Sequence, residues 1–424
     1  MVWYLVVDES LHASALVRDL VAMADRNHRV ECIFLSKRTL GTDDRNLRID
    51  VVRMRHVIPI VSYLHFCLAA FVWLIQRRLD ADVVVLGPDV LPLVLPWLLA
   101  RKLGYKLRPV FAVRENSPPV VGRFKGHAPR TDKLYIYRLA LRYVSFCLLA
   151  RFCDVVFAIS PMHANEIVAH FKVPRVHVWP SSFDAGVFNS EKSSWDRLRV
   201  RRELKIGSRF LLIHHGVLGM QRGLSELIEA TRMVRETRDD VLLMLLGKGR
   251  GEQGLRELVR SSKLEGVVLF HGPVPYEEVP RFIAAADAGV VPLPDQAQWR
   301  YQAPTKVLEY MAMGKPMILT DIPAHRWLVG NRRNVFFCGQ GSPAEIAEAI
   351  LRCISTKVTA KIPDGTVLKF SSMTVADNVL HIFADLTRKK HPFKRQVTMN
   401  PKSDSLRKNA KWHWNRIRKG GKAQ

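Results

Sequence analysis

Short β-branched runs alternate with helix-length segments along this chain, and the alternation is played out twice. In the first half the strand candidates are Val2–Val7, Val30–Leu35, Ile49–Met54, Val83–Leu86, Pro109–Val113 and Val155–Ile159. Helical patterns lie between them, around residues 12–25, 62–77, 90–103, 133–151 and 161–170. The second half repeats the scheme with Phe210–His214, Val241–Leu246, Val267–Phe270, Gly289–Pro292, Pro316–Thr320 and Val335–Cys338, and helices at 223–236, 252–263, 278–286, 304–313 and 343–355. Strands that are apolar throughout and separated by helices belong to parallel sheets covered on both faces. The expected fold is therefore α/β, with two doubly wound parallel-sheet domains. The expected boundaries are 1–188 for the first domain, 189–370 for the second, 371–387 for a last helix and 388–424 for a basic tail expected to be mobile. Two such domains facing each other leave a central cleft at the C-terminal ends of both sheets, where ligands of open α/β sheets bind.

At 424 residues, with 48% apolar and 25% charged, the chain has enough material for two cores and is not of disordered composition. Its formal charge of +26 is unusual. From Arg388 onward there are thirteen Lys or Arg against the single Asp404, so twelve of those charges sit in the tail. Both parts favour anionic partners. The six cysteines form no CxxC pair, and several lie in apolar runs such as Ser145–Leu148, where Cys is a small core residue. Met1 leads straight into an apolar strand with no basic leader or cleavage site, so the expected location is a reducing cytoplasm. Val57 to Ile75 is nineteen residues without a formal charge, long enough for a membrane span. Pro59, Ser62, Tyr63 and His65 weaken that reading, and its place between two strands makes it a crossover helix of the sheet.

Three loops carry the chemistry. Pro304 to Pro316 reads as a helix with Pro304 in its first turn and Gly314 and Pro316 ending it. Free N–H groups at Thr305 and Lys306 would favour a phosphate. Glu309, one turn on and on the same face, would accept hydrogen bonds from ribose hydroxyls. An ordinary capped helix with a surface Glu explains this segment as well. His214 to Gly223 is a glycine-rich turn after a strand, in which Gly216 and Gly223 would let backbone approach a ligand and Arg222 would neutralise a diphosphate. Gly247 and Gly249 form a second strand-end glycine pair. Each loop alone is a weak signal, but three at neighbouring strand ends suit one nucleotide.

These stretches, together with Pro180–Asp184 and Phe188, Phe270–Pro275 and Asp321–Arg326, resemble the retaining family-4 (group 1) glycosyltransferases of the GT-B superfamily in order and spacing. The resemblance is good over roughly 105–355 and loose before that. It implies two Rossmann-like domains and a nucleotide-diphosphate-sugar donor held in the second one, with Glu309 on the ribose. Arg222 would hold the diphosphate where the family usually has Lys, and the backbone near Thr305 would complete the cradle. It further implies no metal or other cofactor, transfer with retention to a hydroxyl of a glycan or lipid-linked glycan, and a place in polysaccharide or glycoconjugate synthesis. This sequence departs from the family at three places. Tyr301 occupies the position of the first of the paired glutamates, Val217 that of a diphosphate-binding Arg, and Asp8–Ser14 replaces a glycine-rich loop.

On the acceptor side, Glu115 ends a strand and would orient a hydroxyl, and His12 stands at the mouth of the first strand. A solvated or salt-bridged Glu115 and a merely structural His12 fit these positions equally. In the tail, Lys411–Lys419 interleaves Trp412 and Trp414 with cations, as an anionic membrane surface would require, so peripheral attachment at the inner face of a membrane is expected. Nucleic acid is not the expected partner, because the body of the chain offers no recognised module. A GT-B sugar-nucleotide epimerase or hydrolase would share the donor site and is the nearer rival.

Overall fold

The computed structural model describes residues 2–7, 15–26, 28–36, 47–53, 59–76, 82–87, 96, 100, 103, 110–115, 144, 146–147, 150–171, 173, 175–190, 196–356 and 365–388. His12, the loop 8–14, Asn116 and the basic tail from 389 onward lie outside the described residues.

The first sheet runs β1 (Val2–Val7), β2 (Arg29–Ser36), β3 (Leu47–Arg53), β4 (Val83–Leu86), β5 (Val110–Glu115), β6 (Val155–Ala158) and β7 (Val176–Val178), ordered β3-β2-β1-β4-β5-β6-β7 and parallel throughout. The second comprises β8 (Phe210–Val217), β9 (Val241–Lys248), β10 (Val268–Gly272), β11 (Ala288–Val291), β12 (Met317–Thr320) and β13 (Val335–Cys338), ordered β10-β9-β8-β11-β12-β13 and also parallel. Strands such as β4, β6 and β11 are buried along their whole length, as sheets covered on both faces require. The strand order reverses at β1/β4 in one sheet and β8/β11 in the other, and in doubly wound sheets the ligand crevice opens beside that reversal.

In the first domain, α1 (Ala15–Ala24) links β1 to β2, α2 (Pro59–Gln76) crosses from β3 to β4, and α3 (Pro161–His170) follows β6. The uncharged stretch is thus a crossover helix, and among the described residues no helix is long and apolar enough to cross a membrane. In the second domain, α4 (Asp196–Glu203) precedes β8, α5 (Leu224–Arg235) follows it, and α6 (Glu252–Ser261), α7 (Val279–Ala285), α8 (Thr305–Ala312), α9 (Pro323–Val329) and α10 (Pro343–Ser355) complete the layers. Ser342 and Glu345 cap α10 reciprocally, a sequence-local signal that fixes where that helix starts.

The chain passes between the domains twice, and the two passages lie side by side. Phe183 N–H donates to Phe370 O at 3.1 Å, and Ser372 N–H donates to Phe183 O at 2.9 Å. α11 (Ser372–Arg388) then returns to the first domain, burying Val375, Ala376, Val379, Leu380 and Phe383 in one cluster with Leu20, Met23, Val83 and Phe157. Asp19 of α1 anchors the crossing: its buried carboxylate accepts from Trp179 Nε1 at 2.8 Å and Ser182 Oγ at 2.5 Å. The adjacent Arg18 donates to Ser182 O at 2.8 Å and lies 4.7 Å over the ring of Tyr276, spanning the cleft.

Candidate donor site

The loops after β8, β9 and β11 meet at the reversal of the second sheet. Gly223 has φ +72°, and a Cβ there would stand 1.9 Å from Pro292 O, so the turn packs against the end of β11 only because the side chain is missing. Gly247, at φ +141°, leaves the same kind of gap: a Cβ would lie 2.0 Å from Gly216 O. Gly249 likewise abuts Leu218 O, at 2.1 Å for a Cβ, and the loops are tied by Leu218 N–H to Lys248 O at 3.0 Å. The strand-end glycines Gly223, Gly247 and Gly249 therefore serve loop-on-loop packing. Gly216 differs, since its Cβ position faces the Lys306 Nζ at 3.5 Å.

Two cations reach this junction from different elements. Arg222 ends a one-turn 3-10 helix, Met220–Arg222, and its guanidinium lies 4.9 Å over the buried ring of Trp299. Its Nε is buried and has no hydrogen-bond partner among the described residues, and burial pulls its pKa below the usual guanidinium value. A buried donor left unbonded costs about 1–3 kcal/mol, more when charged, which a ligand anion would recover. Lys306 comes from the first turn of α8, is 7% exposed, and places Nζ 3.0 Å from His214 Nε2. Burial, then the charge of Arg222, push its pKa down to about 7 against the pull of Glu309.

Pro304 is the residue before α8 rather than part of its first turn, and among the described residues no side chain caps the helix. The proline ring at that position has φ −68° and ψ 123°, extended geometry that turns the chain into the helix. The first-turn N–H groups at Thr305 and Lys306 thus stand open with the helix dipole behind them.

Glu309 is 3% exposed and sits at the centre of a network that the loops alone do not announce. Its Oε2 lies 2.6 Å from His215 Nε2, and His215 Nδ1 lies 3.0 Å from the Tyr310 oxygen. The Tyr310 hydroxyl donates to Ile213 O at 3.0 Å. Burial raises the Glu309 pKa, but the hydrogen bond and charge of His215, together with Arg18 and Lys306, outweigh it and hold the carboxyl below its ordinary value. His214 places Nδ1 2.9 Å from Val290 O, and burial, then Lys306, keep its pKa well below the usual range.

The structure thus brings together Gly216, Arg222, Gly223, Gly247, Gly249, Thr305, Lys306 and Glu309 around one strand reversal. It adds His214, His215, Trp299 and Tyr310, for which the only sequence signal was two histidines closing an otherwise apolar strand. Val217, the last residue of β8, is 52% exposed and brings no charge. Tyr301 stacks on the buried His163 of α3 at 6.3 Å and 29°, an aromatic contact across the cleft. Glu115 ends β5 opposite Ala158 of β6; its side chain and His12 lie outside what is described.

Two family profiles match the chain, "Glycosyltransferase Family 4" over residues 12–186 and "Glycosyl transferases group 1" over residues 209–356. The chain is similar to the D-inositol 3-phosphate glycosyltransferase of Pseudarthrobacter chlorophenolicus, 28% identical over 166 residues, which is 38% of this chain and 37% of that one. It is also similar to the mannosylfructose-phosphate synthase of Agrobacterium fabrum, 27% identical over 184 residues, 41% and 39% of the two chains. The matched stretch therefore spans less than half the length of either relative. In overall fold it is similar to Anabaena Alr3699/HepE in complex with UDP and glucose, with TM-score 0.68 and 18% identity over 90% of this chain and 99% of that one. Two parallel sheets meeting at a cleft are the GT-B arrangement, and with profiles of one family on both halves the chain belongs to the family-4, group 1 glycosyltransferases.

Proposed function

We propose that this protein is a metal-independent, retaining glycosyltransferase that moves a sugar from a nucleoside-diphosphate sugar to a hydroxyl of a glycan or lipid-linked glycan. The observation that carries the reading is the convergence at one strand reversal of two under-satisfied cations, an uncapped helix start and a buried carboxylate. In this reading Arg222, Lys306 and the α8 N–H groups hold the diphosphate and stabilise the charge that develops on it as the sugar leaves. Glu309, kept ionised by its surroundings, accepts from the ribose hydroxyls. The bond from sugar C1 to the phosphate oxygen breaks as the acceptor oxygen attacks C1 from the same side. The acceptor proton is then beside the departing phosphate oxygen, which takes it up. On the acceptor side we assign Glu115 and His12, and we assign the basic tail to an anionic membrane surface.

UDP is the first nucleotide to try, because Alr3699/HepE was solved with it. Titrating the full chain with UDP, GDP and ADP, with chelator present, should give binding of one of them at a micromolar level, about −8 kcal/mol. Glu309→Ala should weaken it at least tenfold. Binding that appears only when a divalent cation is restored would overturn the metal-independent part of the proposal. Turnover of the donor sugar without any acceptor would favour the epimerase or hydrolase instead.

A further inference from the structure

His214 and Lys306 form a pair whose hydrogen bond survives the loss of a proton. His214 Nδ1 faces Val290 O, which can only accept, so that nitrogen carries the hydrogen and Nε2 offers its lone pair. Lys306 Nζ, 3.0 Å from Nε2, can donate to it equally well as an ammonium or as an amine. The pair can therefore change its charge by one without moving a heavy atom.

Its surroundings make that change depend on what occupies the site. Facing Lys306 are His214 from β8, Arg222 from the 3-10 turn, Glu309 from α8 itself and His325 from α9, while His215 of β8 and, from across the cleft, Arg18 of α1 face Glu309. His325 is itself held down to about 4 by burial and adds no positive charge. Glu309, the one carboxylate of the group among the described residues, is committed to His215 at 2.6 Å. Lys306, buried, and Arg222, partly buried, thus share less than one available negative charge among the described residues, and burial with Arg222 brings the lysine down to about 7. A diphosphate would supply the missing negative charge.

We propose that binding of a nucleoside diphosphate loads a proton onto the Lys306–His214 pair, so that the second cation of the donor site is completed by the ligand. This rests on the donor-site reading above. It makes affinity fall as pH rises above neutrality, and it makes release of the spent nucleotide release a proton as well.

The test is calorimetric titration of the full chain with UDP at pH 8, in HEPES, Tricine and Tris, whose ionisation enthalpies differ. The last phosphate ionisation, near about 6, is then complete, so UDP itself takes up no proton. The observed enthalpy should vary linearly with buffer enthalpy, with a slope of about one proton taken up per nucleotide. Lys306→Met should weaken binding about tenfold and remove the slope. Lys306→Arg, whose charge cannot be lost, should bind more tightly than Lys306→Met and also show no slope. UDP bound with zero slope in the wild type overturns this proposal and leaves the donor site standing, and a slope that persists in Lys306→Arg overturns it too. No binding by UDP, GDP or ADP removes the donor-site reading and the proton coupling together.

Discussion

The second domain holds two buried clusters of cations, and they are built on opposite principles. At the C-terminus of α7, Lys315 Nζ donates to Ala284 O at 2.8 Å and Ala286 O at 2.7 Å. Arg201 donates to Ala285 O at 2.7 Å and Arg197 to Ala286 O at 3.0 Å, and both pair with Asp287, which also accepts from Leu211 N–H. Each cation there faces carbonyl oxygens at the negative end of a helix. At the other cluster Lys306 faces an imidazole nitrogen, and Arg222 an aromatic ring, its Nε unbonded among the described residues. Burial lowers the pKa of both lysines, to about 8 for Lys315 and about 7 for Lys306. A depressed pKa therefore does not separate a structural cation from a binding one; the partners do. The satisfied cluster holds α4 and α7 together, and the unsatisfied one is, in the function proposed above, kept for an anion.

Substitutions can break this contrast. Arg201→Met should be the most damaging to the fold, costing about 3 kcal/mol in denaturant unfolding because Asp287 loses a buried partner. It should leave nucleotide affinity within about twofold; a comparable loss of affinity would show the two clusters to be coupled. Arg222→Ala should do the reverse, raising the nucleotide Kd about a hundredfold, close to 2.7 kcal/mol, with no loss of melting temperature. A large drop in Tm would show that its stack on Trp299 is structural.

Per pH unit, the smallest effect is on the pH profile. Lys306 titrates near about 7 in the fold, well below the ordinary lysine value of 10.5, so between those values the unfolded chain binds more protons than the folded one. Stability without ligand should accordingly rise with pH across that window, by at most about 1.4 kcal/mol per pH unit for this group. Lys306→Met should flatten that rise, seen as Tm against pH. An unchanged profile would mean that Lys306 is not the group responsible.

What the sequence disclosed follows from where the information lies. β4, β6 and β13 were readable because each is a continuous apolar run, and α10 because Ser342 and Glu345 mark its start locally. β7 escaped notice: Val176–Val178 is three residues around a histidine, with too little pattern to stand out. Arg222, Lys306 and Glu309 were legible as residue types at strand and helix ends. Their partners were not, because His215–Glu309 and His214–Lys306 are contacts across more than ninety positions, set by how α8 lies against β8. Pro304 shows the limit of local rules, since a proline suits either side of a helix start and only the backbone angles decide.

The return of α11 has a consequence for how the protein is made. The first domain begins at residue 2, yet Val379, Leu380 and Phe383 belong to the same core as Leu20 and Val83. A ribosome must therefore finish the whole second domain before the first can close its core. Through that interval the nascent first half exposes apolar side chains that α11 will cover, surface of the kind that favours aggregation. Chains released short of Phe383 should be recovered with the second domain folded and the first open to protease.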